Sequence, residues 1–156
     1  KLIFKGMETV RSDRTELAKI FQTGLYERIF QEQDPREFIR DTIEKTQRGE
    51  LDECLVYRKR LRRKLDDYDK TQPPHVKAAR LADEIRRQRG LPPRYQHKGW
   101  IEYVITTQGP EPVAYKQHPL DYQHYIDKQL KPVADAILPH IHLQFDQIVN
   151  TQLSLF

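Results

Sequence analysis

"LVYRKRL", residues 55–61, decides how the middle of the chain folds. Its side chains alternate with a period of two. Leu55, Tyr57, Lys59 and Leu61 share one face, and Val56, Arg58 and Arg60 share the other. That is the pattern of a short strand with one cationic side. The basic run continues past it: six of the seven residues from Arg58 to Lys64 are basic, broken only by Leu61. Lys59 lies on the face with Leu55, so its stem is expected to pack while its ammonium reaches out.

The flanking sequence changes period. Upstream, Asp13 is placed to cap a helix with Glu16 as capping-box partner, and Leu17, Ile20, Phe21, Leu25 and Ile29 follow at helical spacing. Asp34-Pro35 opens a second helix with Phe38, Ile39 and Ile43 inward, and Gly49 ends it. Downstream, Pro73-Pro74 punctuates. A helix then runs to about Arg89 with Ala78, Leu81, Ala82 and Ile85 inward and Lys77, Arg80, Arg86 and Arg87 outward. "RGLPPRYQHKG" is a basic loop. Ile101, Tyr103 and Ile105 alternate as a second strand, ended by "QGPEP". Asp121 caps a helix through Ile137, bent near Pro132. A last helix from about Pro139 carries Ile141, Phe145, Ile148 and Val149. The expected fold class is mainly α with a small β-sheet, α+β, read as one domain.

Composition bounds the function. Of 156 residues, 37% are hydrophobic and 32% charged, and the apolar residues are grouped periodically, unlike those of a disordered chain. No apolar run approaches the roughly 20 residues of a membrane helix. One cysteine, Cys54, leaves no internal disulfide and fits a reducing compartment. The net charge of +4 is modest, but the density around residues 58–64 attracts phosphates. The start at Lys1 within the apolar run "LIF" is expected to be a cut inside a larger protein.

Catalytic chemistry is not evident. His140 and His142 form H-x-H, yet positions two apart on a helix point in different directions, so surface histidines are the better reading than a zinc site with Cys54. Asp66, Asp67 and Asp69 read as a solvated turn rather than a divalent-ion site. The six glycines form no phosphate loop. No catalytic residue and no metal ligand is assigned.

From "FKGMETVRSD", residues 4–13, the sequence resembles bacterial family B DNA polymerases. Its K-G-x-E-x-x-R-x-D pattern is similar to the junction where palm gives way to thumb. Four further stretches agree in order. "LVYRKRLRRKLDDY" is similar to the family's basic strand and the tyrosine after it. "PPHVKAARLADE" matches a P-H-V-x-x-A helix start and "GWIEYVITTQGPEP" a G-x-I-x-Y-V strand. "DYQHYIDKQLKPVADAIL" matches a D-x-x-x-Y-I-x-x-Q-L-x-P helix. The resemblance implies residues 1–12 as the end of the palm, 13–150 as a thumb-like domain and 151–156 as a tail.

The resemblance also implies a nucleotidyltransferase parent using two divalent metal ions, magnesium. The exonuclease and palm carboxylates of that family lie upstream of this stretch, so the fragment alone is expected to be inactive and to need no cofactor. The implied location is the bacterial cytoplasm, at the nucleoid. The implied partners are the remaining polymerase domains and duplex primer-template DNA. Lys5, Arg58, Lys59, Arg60, Arg62, Arg63, Tyr68, His75 and Lys77 are the expected DNA-contacting residues. Glu8 and Arg11 fit either that junction role or a structural ion pair.

The tail "QLSLF" has two readings. In one, Leu153, Leu155 and Phe156 fold back onto the last helix. In the other, Gln152, Leu153, Leu155 and Phe156 resemble the peptide by which bacterial polymerases dock on the sliding clamp. For the chain as a whole, the alternatives to a DNA-holding role are a basic structural or protein-interaction domain and an RNA-binding module. The RNA reading is weakened because Tyr57 and Tyr68 form no stacking row.

Overall fold

A computed structural model describes residues 14–68 and 72–154; over 151–154 the description covers the backbone. Asp13, with its expected cap, therefore lies outside the described residues. The architecture is mainly helical with a small three-stranded antiparallel sheet. The stretch read as one domain is built from two compact units. Residues 56–121 form one, and the segments on either side of them in sequence form the other.

The flanking unit is helical. Its first helix, α1 (Glu16–Phe30), is capped by Thr15, whose hydroxyl accepts the Ala18 N–H. The backbone N–H and hydroxyl of Thr15 both donate to Gln129 Oε1, at 2.9 and 2.7 Å, across 114 residues of sequence. Both residues are buried, so the tie satisfies polar groups that would otherwise be costly to bury. The inward stripe of α1 is Leu17, Ala18, Phe21, Gly24 and Leu25. Ile20, expected inward, is 42% exposed. It lies one position to the side of the 17-21-25 row, and the adjoining inward position is taken by Gly24.

Helix α2 (Arg36–Gln47) begins one residue later than expected. Asp34 caps it by accepting the Arg36 N–H at 3.0 Å, with Pro35 just outside. Gly24 lets the two helices approach: a Cβ there would lie 2.1 Å from the Phe38 ring. That ring stacks on Phe21 with centroids 5.8 Å apart. Gly49, at φ +80, ends α2, and the Glu50 N–H reaches back to the Lys45 carbonyl.

Where one bent helix is expected over residues 121–137, there are three pieces. These are α4 (Tyr122–Tyr125), a π turn (Ile126–Leu130) and α5 (Lys131–Ile137). The wide turn falls just before Pro132, which has no N–H to donate into the helical ladder. It also places Gln129 in reach of Thr15. The expected last helix from Pro139 is likewise divided. A 3₁₀ turn (Leu138–Ile141) stops at His142, left-handed at φ 63, and α6 (Phe145–Ser154) follows. Phe145 and Ile148 are buried with Tyr125, Leu130, Ile137 and Leu138.

The other unit is sheet and helix. Strands β1 (Tyr57–Leu61), β2 (Gly99–Thr106) and β3 (Gly109–Pro112) pair antiparallel in the order β1-β2-β3. Helix α3 (Pro74–Gln88) packs on them, with Pro74 in its first turn. "QGPEP" was expected to end the second strand; its GPEP portion instead forms β3. Two prolines are tolerated there because the strand lies at the sheet edge, where a missing N–H costs no ladder bond. Thr106 holds the hairpin by donating to the Gly109 carbonyl at 2.8 Å and accepting the Gln108 N–H at 3.0 Å.

Candidate nucleic-acid interface

Strand β1 keeps the period of two. Tyr57 and Leu61 are buried, Arg58 and Arg60 are exposed, and Lys59 is half-buried on the inward face. Cross-strand register puts Arg58 opposite Glu102 and Arg60 opposite Trp100. These four residues are all exposed, so one side of the β1-β2 pair is a polar surface with an indole in it. Trp100 is 50% exposed and carries the Arg58 guanidinium 4.1 Å above its ring. Sequence reasoning did not select Trp100. Its signal was the outward phase of the alternation Ile101-Tyr103, one position off the buried row.

Past β1 the chain turns through exposed Arg62, Arg63 and Lys64 into a 3₁₀ turn (Leu65–Asp67). The turn is fixed from below. The Arg62 N–H donates to the Tyr68 hydroxyl at 3.2 Å, and the Arg63 guanidinium lies 4.6 Å from the Tyr68 ring. Arg80, expected to point outward, instead donates to the carbonyls of Leu65 and Tyr68. Arg86 is also engaged, donating to the Pro92 carbonyl at 2.7 Å and the Tyr115 hydroxyl at 3.3 Å.

Tyr68 is 7% exposed and His75 6%. Their rings meet edge-to-face at 6.1 Å. Burial, and then the Lys59 charge, pull the His75 pKa below its ordinary value. Its Nδ1 is buried with no hydrogen-bond partner among the described residues. These two residues thus lie under the basic turn, and Lys77 is exposed on α3.

The other sequence-selected positions are apart from this cluster or undescribed. Lys5, Leu155 and Phe156 lie outside the described residues. The backbone of Gln152 and Leu153 continues α6 into the segment read as a tail. Among the described residues no group of three or more His, Cys, Asp or Glu is placed to hold a metal ion. Burial, then Glu16 and Glu53, push the Cys54 thiol above its ordinary pKa, which disfavours the reactive thiolate. No described helix is long and apolar enough to cross a membrane.

The charge is divided between the units. Residues 56–121 hold 15 basic against 8 acidic side chains, a net of +7. The rest of the chain holds 12 against 15, a net of −3. Four exposed arginines sit within six residues on the positive unit, presented by a strand and a pinned turn.

The family description "DNA polymerase family B" matches residues 1–152. The chain belongs to DNA polymerase family B. It is 54% identical over 156 residues to DNA polymerase II of Escherichia coli K12, covering 100% of this chain and 20% of that protein. It is 32% identical over 152 residues to DNA polymerase 2 of Aeropyrum pernix, covering 90% of this chain and 18% of that one. A DNA polymerase of Archaeoglobus fulgidus is 33% identical over 126 residues, 78% of this chain and 15% of that protein. The chain thus spans about a fifth of the length of the first two of these relatives and less of the third. The described donor set does not suit the divalent-metal pair that the resemblance implies for the parent, so no metal step is derived for these residues.

Proposed function

We propose that this chain is the thumb part of a DNA-directed DNA polymerase and that it grips primer-template duplex during replication or repair synthesis. The observation that carries the reading is the exposed row Arg58, Arg60, Arg62 and Arg63 on a unit of net charge +7. A polymerase must hold duplex of any sequence, and phosphate contacts position a protein without reading bases. Lys59 and Lys77 add charge beside the row. Tyr68 and His75, being buried, act by supporting the turn. Lys5 joins the interface from the palm junction. Nucleotidyl transfer, its two magnesium ions and the other polymerase domains belong to the parent protein at the nucleoid.

The test is salt dependence. The logarithm of duplex affinity is expected to fall linearly with the logarithm of salt, by roughly 0.9 per phosphate contact. Replacing Arg58, Arg60, Arg62 and Arg63 together by Ala flattens that slope. An unchanged slope removes the row from the interface and favours a structural or protein-interaction domain.

The tail belongs to the same proposal. Gln152, Leu153, Leu155 and Phe156 are the anchors for a sliding clamp, with apolar side chains entering a pocket on the partner and the glutamine giving directional hydrogen bonds. Modest affinity suffices, because the grip on DNA raises the effective concentration of the clamp. Deleting residues 152–156 is expected to abolish clamp capture with duplex binding intact. Capture that survives the deletion ends this assignment.

A further inference from the structure

The positive unit carries a second feature, which borders the duplex row at Arg58. A cleft of about 350 Å³ opens between the exposed side of β1-β2, the flank of α3 at Ala82 and Arg86, and residues 112–115. That volume is within the roughly 300–1,000 Å³ of small-molecule sites. Three aromatic side chains line it: Trp100, Tyr95 and Tyr115. Three arginines accompany them: Arg58, Arg86 and Arg94. Glu102 is the one acid among the lining residues.

The walls are fixed rather than loose. Asp83 accepts the N–H groups of Arg94 at 2.8 Å and Tyr95 at 3.0 Å, which holds the loop after α3 against that helix. Arg86 bridges the same loop, at the Pro92 carbonyl, to the Tyr115 hydroxyl. Arg58 lies over the Trp100 ring and orients it, leaving the residue half exposed. Arg89 sits 5.1 Å from the Tyr115 ring centroid.

Flat π faces beside unneutralised guanidinium groups suit one chemistry in particular. A base stacks on an aromatic ring regardless of its identity, and the adjoining phosphate meets the arginine. A phosphate backbone alone has no use for a half-exposed indole, and an aliphatic ligand has no use for three arginines. We propose that this cleft takes an unpaired nucleotide of single-stranded DNA, stacked at Trp100, with its phosphate at Arg94. This goes beyond duplex gripping, since it requires a strand whose bases are free. It is a second site on the same unit.

The chain has one tryptophan, so its own fluorescence reports the site. Titration with a short oligothymidylate is expected to quench Trp100 emission to saturation, and a blunt hairpin duplex to quench it far less. Trp100→Leu, at a surface position, is expected to weaken binding of labelled oligothymidylate roughly 10-fold by anisotropy while changing hairpin affinity, through Arg58 alone, by no more than about twofold. Arg94→Ala keeps the reporter and is expected to lower the quenching affinity. Oligothymidylate that binds without quenching, or binds Trp100→Leu unchanged, overturns the proposal. So does a Trp100 signal that follows protein concentration without DNA and sediments as a dimer, which would make the cleft a protein contact. An Arg60→Ala, Arg62→Ala, Arg63→Ala variant reads the duplex row separately, so either reading can fail while the other stands.

Discussion

The two units treat their basic side chains differently. In the helical unit, cations are matched locally. Arg36 pairs with Asp34 at 2.7 Å, Arg48 with Glu44 at 2.7 Å and Lys45 with Asp41 at 3.2 Å. Lys131 meets both Asp135 and Asp146. In the sheet unit several arginines lie on rings instead, Arg58 on Trp100, Arg63 on Tyr68 and Arg89 on Tyr115, and Arg80 and Arg86 donate to backbone carbonyls. Arg87 with Glu84 is an exception in the sheet unit, and Arg28 over Phe38 and Lys131 over Phe145 are exceptions in the helical unit. A carboxylate orients a guanidinium and cancels its charge. An aromatic face orients it and leaves the charge whole. The first arrangement makes a neutral surface, where each exposed pair contributes little stability. The second makes a preorganised cationic one.

The largest test concerns whether the units are separate bodies in energy as well as charge. Phe21 is fully buried in the helical unit. Phe21→Ala is expected to cost about 3–5 kcal/mol. Amide exchange should then accelerate across α1 and α2 with the β2 amides still protected. Equal loss in both would make the chain one cooperative body and dissolve the comparison.

Charge reversal comes next. Arg60→Glu, Arg62→Glu and Arg63→Glu together take the sheet unit from +7 to +1. Duplex affinity at low salt is expected to fall about 100-fold. The matching reversal of Arg36, Lys45 and Arg48 is expected to change it by no more than about twofold, as read by anisotropy. Equal losses would mean that net charge alone governs binding.

A smaller effect separates the units by pH. Glu111 is 2% exposed. Burial pushes its pKa up, but hydrogen bonds from the Gln117 N–H, the His118 ring and N–H and the Thr106 hydroxyl outweigh that and hold it below its ordinary value. Its stabilising effect is therefore present above the unfolded pKa of about 4.3 and is lost as pH falls through the folded value. Glu111→Gln is expected to remove that acid limb and to cost about 1–3 kcal/mol at neutral pH. Denaturant midpoints across pH check both.

The smallest effect lies on the helical unit's surface. Arg36 holds the Asp34 carboxyl down to about 2 from an ordinary 3.8. Arg36→Ala should let it rise toward 3.8 by carboxyl NMR, with duplex binding unaffected.

Much of this organisation was legible. The period of two at Tyr57–Leu61 gave β1 and the side its arginines face. Pro74 and Gly49 marked real helix ends. What was not legible depended on distant residues. Gln129 reads as an ordinary polar position until the π turn brings it to Thr15. GPEP looks like a strand breaker unless its place at the sheet edge is known. Arg80 and Arg86 look like solvated helix charges, and only the fold supplies the carbonyls that occupy them. The charge division was hidden because the helical unit is discontinuous in sequence, so its −3 and the +7 averaged to a bland +4.

The Thr15–Gln129 bond has a consequence for the order of events on the ribosome. Every strand of the sheet unit has been made once Asp121 is added, so that unit needs no later residue of the chain to close. Helix α1, although made before it, has no Gln129 to hold its cap residue Thr15 until another 114 residues have followed. Contacts that span so much chain are slow to form. Helix α1 thus waits, covered on one side by α2, for the π turn and α5 to arrive. Stalled or truncated chains that end before residue 129 are therefore the ones expected to need chaperones.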